Sequence, residues 1–325
     1  MSANNQRGVR VGYQVPTFEY GDSPHDTFHR VLAQALEAEA ADVDCLYVMD
    51  HFYPLPLIGP LDGTMFESQT LLAGLAASTT RIGLSPLVAS ATYRNPMLLA
   101  KSVATIDAIS GGRARIGLGT GWFEREHRDF GFTLGTLSDR YGKLTETLEI
   151  LREARSEEPG IVEGRWYRCE RPIMNPPLRP DTEVLIGGGG EKRTFALAAR
   201  YADHLNILAD VDAVPRKVAA ARERCEEIGR DPATLFTSYT AYLFLGDSQQ
   251  AAGDSYRRFL ADRGPIAAGA AGRHFVGTAE SIAGQLHEQV IGKGVDGLIV
   301  NLVVDGHVPG RITEVAAALS AIKAA

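Results

Sequence analysis

Three short stretches of this sequence carry residue types able to do chemistry, and each lies at the end of a predicted strand. The first is Asp50-His51-Phe52, which ends the run Cys45–Met49. An imidazole emerging there can take or give a proton near neutral pH. Asp50 beside it can place a polar group of a ligand or set the charge of the site. The ordinary alternative is an Asp capping a helix and a His bonded to a neighbouring loop. The second stretch is Gly117-Leu118-Gly119-Thr120-Gly121-Trp122. Glycines at alternate places permit positive φ and let backbone approach a flat ligand closely, although a tight turn would use them too. Counted from Gly117 or Gly119, the sixth position is Trp122 or Glu124, so the G-x-G-x-x-G dinucleotide fingerprint is absent. The third is Gly187-Gly188-Gly189-Gly190, after which Glu191-Lys192-Arg193-Thr194 opens a helical pattern. Free N–H groups at a helix start, together with Lys192 and Arg193, suit a phosphate. No Gly-Lys-Ser/Thr follows, so this is not a P-loop.

Other candidates are weaker. Glu124, Glu126 and His127 crowd the segment after the second stretch and either line a substrate cavity or form polar surface. His25 and His29 lie four apart without a carboxylate or Cys at ligand spacing, so no metal site is expected. HExxH and G-x-S-x-G motifs are absent, which argues against zinc hydrolysis and acyl-enzyme chemistry. Cys45, Cys169 and Cys225 are far apart and form no CxxC pair, as in a reducing compartment. A net charge of −7 disfavours partners such as nucleic acid or an anionic membrane. With no apolar run of about 18 residues, and with a polar Met1–Arg10, the sequence reads as a soluble cytoplasmic protein acting on a small molecule.

The elements that must position these stretches alternate regularly. Strands are predicted at Val9–Val15, Cys45–Met49, Arg81–Val88, Arg113–Leu118, Val184–Ile186, Asp203–Leu208, Thr237–Leu245 and Gly297–Val304, nearly all followed by a helical pattern. Pro96 suits the first turn of one helix, and Ser110-Gly111-Gly112 ends it. Apolar strands separated by helices imply a parallel sheet, because parallel neighbours need a crossover. The fold class is therefore α/β, and a (β/α)8 barrel is favoured over an open doubly wound sheet. The 325 residues are expected to form one barrel domain with an insertion over about 122–180, where periodicity breaks down. In either architecture the site lies at the C-terminal strand ends.

Many short motifs occur in a familiar order: Asp50-His51-Phe52, Arg81–Val88, Thr92-Tyr93-Arg94-Asn95-Pro96, Leu98–Lys101, Ala104–Asp107, Ser110–Arg113, Gly117–Trp122, Glu126-His127, and Gly187–Gly190 with Ala198–Asp203. Over about residues 9–207 they resemble the luciferase-like monooxygenases, the flavin-type oxidoreductases of the bacterial luciferase family, and within it the branch using coenzyme F420. The resemblance implies a (β/α)8 TIM barrel, often a homodimer, with a flavin or deazaflavin ring at its mouth. It implies a non-prolyl cis peptide after the third strand, with Leu87-Val88 the best-aligned pair and Ser85-Pro86 a competing X-Pro site.

Carried over, the resemblance places Asp50, His51, Leu87, Val88, Ala89, Gly119, Thr120 and Gly121 about the ring, and Gly187 to Gly190, Lys192 and Thr194 about the phosphate. His51 becomes the catalytic candidate, with Glu126 as the other proton donor. Members that oxidise a sugar phosphate carry a Glu directly after Gly-Thr-Gly, where this chain has Trp122, which argues against that activity. The first reading is hydride transfer between F420 and a small organic substrate. The alternatives are an FMN-dependent monooxygenase on the same fold and a non-catalytic cofactor-binding barrel. Phe18, Tyr20, Phe52, Tyr53 and Trp166 suggest an aromatic cavity.

Overall fold

The computed structural model describes residues 9–21, 23–170 and 174–323. The polar N-terminal segment lies outside the described residues up to residue 8. Among the described residues twelve strands form: β1 (Arg10–Gln14), β2 (Cys45–Val48), β3 (Gly83–Pro86), β4 (Ala89–Ser90), β5 (Ile116–Gly119), β6 (Ile161–Glu163), β7 (Arg168–Glu170), β8 (Val184–Gly188), β9 (His204–Ile207), β10 (Phe236–Leu245), β11 (His274–Gly277) and β12 (Gly297–Leu302). The main sheet runs β3-β2-β1-β12-β10-β9-β8-β5-β4, with β11 added to the far half of β10.

β3 and β4 are two halves of one barrel strand. A parallel bridge between Leu84 and Ala114 closes the ring: Leu84 N–H donates to the Arg113 carbonyl at 3.0 Å, and Arg115 N–H to the Leu84 carbonyl at 2.9 Å. Eight barrel strands therefore stand where the sequence places them, and every pair in the barrel is parallel. The closure excludes the open doubly wound alternative.

Nearly every residue of these strands is buried, because side chains on one face fill the barrel and those on the other meet the helices. Helix Pro96–Ser110 shows how local signals set an element. The Asn95 side chain accepts from the N–H groups of Met97 and Leu98, and Pro96 sits where no N–H is needed.

The stretch between β5 and β8 holds a short helix, Glu124–Asp129, a long one, Leu137–Ala154, and the antiparallel hairpin β6–β7. The Glu146 carboxylate accepts from the backbone N–H groups of Arg165, Trp166 and Tyr167 at 2.7–2.9 Å and so ties the hairpin turn to the long helix. Sequence periodicity misses the hairpin because its strands have three residues each and are largely exposed. It also misses β11, whose pairing partner is the overlong end of β10. Among the described residues, no helix is long and apolar enough to cross a membrane.

Candidate active site

At the C-terminal ends of the barrel strands lies a cavity of about 720 Å³. All three chemical stretches reach it: Asp50 and His51, Gly119 to Trp122, and Gly187 with Gly188 line its wall. Leu87 and Val88 lie between them, and the peptide bond joining these two is cis, as the motif order predicts, whereas Ser85-Pro86 is not among the cis bonds.

Val88 explains two of the glycines. A Cβ on Gly119 would stand 2.6 Å from Val88 Cγ2, and one on Gly187 would stand 3.0 Å from Val88 Cγ1. Both residues are glycine so that Val88 can rise between β5 and β8. Gly121 has φ +71°, and a Cβ there would meet the hydroxyls of Ser90 and Thr92. The glycine-rich turns thus form a cradle around Val88 and the Ser90–Thr92 pair.

His51 is held by Glu126. Its Nδ1 lies 2.9 Å from Glu126 Oε2, while Glu126 Oε1 accepts from the backbone N–H groups of Phe52 at 2.6 Å and Tyr53 at 3.1 Å. The carboxylate is 1% exposed, and its other two hydrogen-bond partners are backbone donors. Nδ1–H therefore donates to Glu126. This leaves Nε2 as the ring nitrogen without a protein partner among the described residues, at the cavity wall. The neighbouring His127 is also 1% exposed but is engaged at both nitrogens: Nδ1 with the Phe123 carbonyl at 2.8 Å, Nε2 with Thr92 Oγ1 at 2.6 Å.

The other residues expected at the ligand stand in varied surroundings. The Asp50 carboxylate does not face the cavity freely: it accepts from Ser68 Oγ at 2.7 Å, from Ser90 N–H at 3.1 Å and from the Arg94 guanidinium. Burial lowers the Arg94 pKa, but the bonds to Asp50 and the charge of Glu67 outweigh it and raise the value overall. Asp50 thus positions the strand end that carries His51, and the Tyr93 hydroxyl donates to its carbonyl. Burial, with the charges of Asp50 and Glu126, pushes the Tyr93 pKa far up, so that hydroxyl keeps its proton.

Ala89 is fully buried in the hydrophobic core and lines nothing. Gly189 packs against the Leu208 carbonyl. Gly190 and Lys192 line a separate shallow groove beside the cavity, with Ser138 and Tyr141. Thr194 opens the helix Thr194–Tyr201 and bonds the Tyr141 hydroxyl at 2.8 Å. Glu191 is drawn aside by Lys217, at 2.7 Å, and by Arg216, so at the rim of the groove Lys192 and Arg193 stand without an ion pair among the described residues, Arg193 lying 5.3 Å over the Tyr141 ring. The aromatic lining also differs from expectation. Phe18 is buried against Phe66 and Phe52 stacks on Phe130, while Trp122, Phe123, Tyr93 and Tyr242 face the cavity.

Sequence reasoning passed over the polar floor made by Gln14, Asn206, Thr240 and Asn301. The signal was present for Gln14 and Asn301, each a polar residue at or near the C-terminal end of a largely apolar strand. Among the described residues no cluster of three metal-ligating side chains occurs, and His25 and His29 pack edge to face.

The sequence profile of the luciferase-like monooxygenases matches residues 7–299. The chain belongs to that family. The pyrimidine monooxygenase RutA of Variovorax paradoxus (strain S110) is 31% identical over 183 residues, which are 56% of this chain and 49% of the relative. Its namesake from Escherichia coli (strain SMS-3-5 / SECEC) is 33% identical over 183 residues, 56% of this chain and 50% of its own. The chain spans about half the length of these curated relatives.

Among solved structures, an F420-dependent secondary alcohol dehydrogenase in complex with an F420-acetone adduct has a TM-score of 0.79 at 18% identity, covering 97% of this chain and 99% of that one. The oxygenating constituent of 3,6-diketocamphane monooxygenase from the CAM plasmid of Pseudomonas putida, in complex with FMN, has a TM-score of 0.74 at 16% identity, covering 95% and 96%. This luciferase-like protein shares their (β/α)8 fold. Its cradle, where Val88 rises between Gly119 and Gly187 because neither carries a Cβ, and the cationic groove next to it fit a flat ring with a phosphate-bearing tail.

Proposed function

We propose that this luciferase-like protein is an FMN-dependent monooxygenase of a small organic substrate. The observation that carries the reading is the His51–Glu126 pair at the wall of the cavity that Val88 enters. Bound FMN would supply oxygen chemistry to which a deazaflavin ring is unsuited. Val88, Gly119 and Gly187 would support the ring's face, and Lys192, Arg193, Tyr141 and the start of helix Thr194–Tyr201 its phosphate. His51 moves the proton: Nε2 accepts it from, or returns it to, the substrate atom that reacts. Glu126 acts through His51, fixing its tautomer and ring orientation with Oε2 while its other oxygen, Oε1, is locked by two backbone N–H groups. Trp122 and Phe123, stacked 5.3 Å apart, both meet the His51 ring edge to face.

The F420 hydride-transfer reading that the motif order favours takes second place. The relatives above 30% identity bear the name monooxygenase, whereas the F420-dependent dehydrogenase is similar in fold alone. Titrating the purified protein with FMN and with F420, read by fluorescence, tests the order. Tighter binding of FMN, with substrate-dependent oxygen uptake in the presence of reduced FMN, is expected. Tighter F420 binding would restore the hydride-transfer reading, and binding without any turnover would leave a cofactor-holding barrel.

A further inference from the structure

The cavity floor contains two amide arrangements that differ in one respect. Asn206 is satisfied within the protein: its Nδ2 donates to Ser238 Oγ at 2.9 Å, and its Oδ1 accepts from Thr240 Oγ1 at 3.1 Å. Asn301 is not. Its Nδ2 donates to Gln14 Oε1 at 3.0 Å, while its Oδ1 is buried without a partner. Asn301 is 3% exposed and Gln14 5%, and both line the cavity.

They sit side by side because β1 and β12 are parallel neighbours in which Tyr13 pairs with Val300, so the next residue on each strand points into the barrel together. A buried acceptor left unmade costs about 1–3 kcal/mol. Two carboxamides that share one hydrogen bond leave a free acceptor on one and a free donor on the other. Exchanging O and N on both amides swaps the roles and preserves that pattern.

We infer that Gln14 and Asn301 form a subsite that reads a cis-amide edge, H–N–C=O, of a flat heterocycle. Asn301 Oδ1 accepts the ring N–H, and Gln14 Nε2 donates to the adjacent carbonyl. The inference rests on the reading that the cavity holds a flat cofactor and substrate, and it specifies which edge faces the floor. An alkyl edge would leave Asn301 Oδ1 unpaired, and an anion would be repelled by it. Flavin and deazaflavin rings carry such an edge, and so do cyclic amide and imide substrates.

The experiment separates the two sources by N-methylation. In one arm, FMN and 3-methyl-FMN are titrated into the protein. In the other, glutarimide and N-methylglutarimide are titrated into protein already saturated with FMN, or into the unloaded protein if FMN does not bind. In one arm or the other, the N–H form is expected to bind about tenfold or more tightly than the N-methyl form, the loss expected when a buried acceptor is left unpaired. Discrimination in the first arm assigns the edge to the cofactor, and in the second to the substrate. Asn301→Leu is expected to erase most of the difference. Equal binding of both members of both pairs to the wild-type protein would overturn the inference without recourse to any variant. So would discrimination undiminished in a folded Asn301→Leu protein. Failure of FMN to bind at all counts against the cofactor reading instead, and the glutarimide arm then decides this one alone.

Discussion

At the N-terminal end of the barrel, Glu183 lies 2.8 Å from Arg10, 3.4 Å from Arg115 and 3.0 Å from His204 Nδ1, and His204 Nε2 meets Ser238 Oγ at 2.7 Å. The space left there is about 10 Å³, room for no more than a single water. The C-terminal end of the same strands opens into the cavity of about 720 Å³, where His51 Nε2 and Asn301 Oδ1 have no protein partner among the described residues. The two ends are joined by one file of donors: Thr240 to Asn206, Asn206 to Ser238, Ser238 to His204, and His204 to Glu183. Along that file each donor meets an acceptor, and the polar groups serve stability. Where the pairing stops, at Asn301 and His51, the unmatched groups are left for a ligand. Along this file, completeness of hydrogen bonding rather than polarity or burial separates scaffold from site.

Substitutions at the two ends should therefore have effects of different kinds. The largest is expected from His51→Ala, which should lower kcat by about 10²–10⁴-fold while the dissociation constant for FMN stays unchanged. Steady-state kinetics beside a fluorescence titration checks this, and full activity in the variant would remove His51 from the proton step. Glu126→Gln should act in the same direction but less strongly, on kcat more than on KM, because it weakens the hold on His51 without touching substrate. A change confined to KM would refute the positioning role.

At the closed end, Glu183→Ala leaves Arg10 and Arg115 without their partner and should cost about 3 kcal/mol of unfolding free energy. Urea denaturation would measure it, with FMN affinity as the control that should not move.

The smallest and most gradual effect is acid destabilisation. Full burial lowers the His204 pKa below its ordinary 6.5 even though Glu183 pulls it the other way. For Glu183, burial works against the charge, but the bond from His204 and the charges of Arg115 and Arg10 hold its carboxyl well below its ordinary 4.5. Both values are lower in the folded state, so the unfolded chain binds more protons and stability falls on acidification. The loss should begin as pH drops below 6.5 and steepen below 4.5, and the steepening below 4.5 should be missing in Glu183→Ala. Melting temperatures that stay flat from neutral pH to below 4.5 would contradict this account.

Family resemblance pointed to the cis pair Leu87-Val88, and the sequence by itself determined the eight barrel strands, the start of helix Pro96–Ser110 and the stretches that line the cavity. These rest on local chemistry: apolar runs that must be buried, a Pro and an Asn at a helix start, and glycines where a side chain would collide. The sequence could not show that Asp50 is bound to Arg94 while His51 remains available, since the partner lies 44 residues away and adjacent strand positions point to opposite sides. Nor could it show that Glu126 stands behind His51, 75 residues distant, instead of facing substrate. The pairing of Gln14 with Asn301 spans 287 residues and exists only because the last barrel strand returns to lie beside the first. Barrel closure decided which polar groups found partners, and that question is one of distance in space, which order along the chain does not encode.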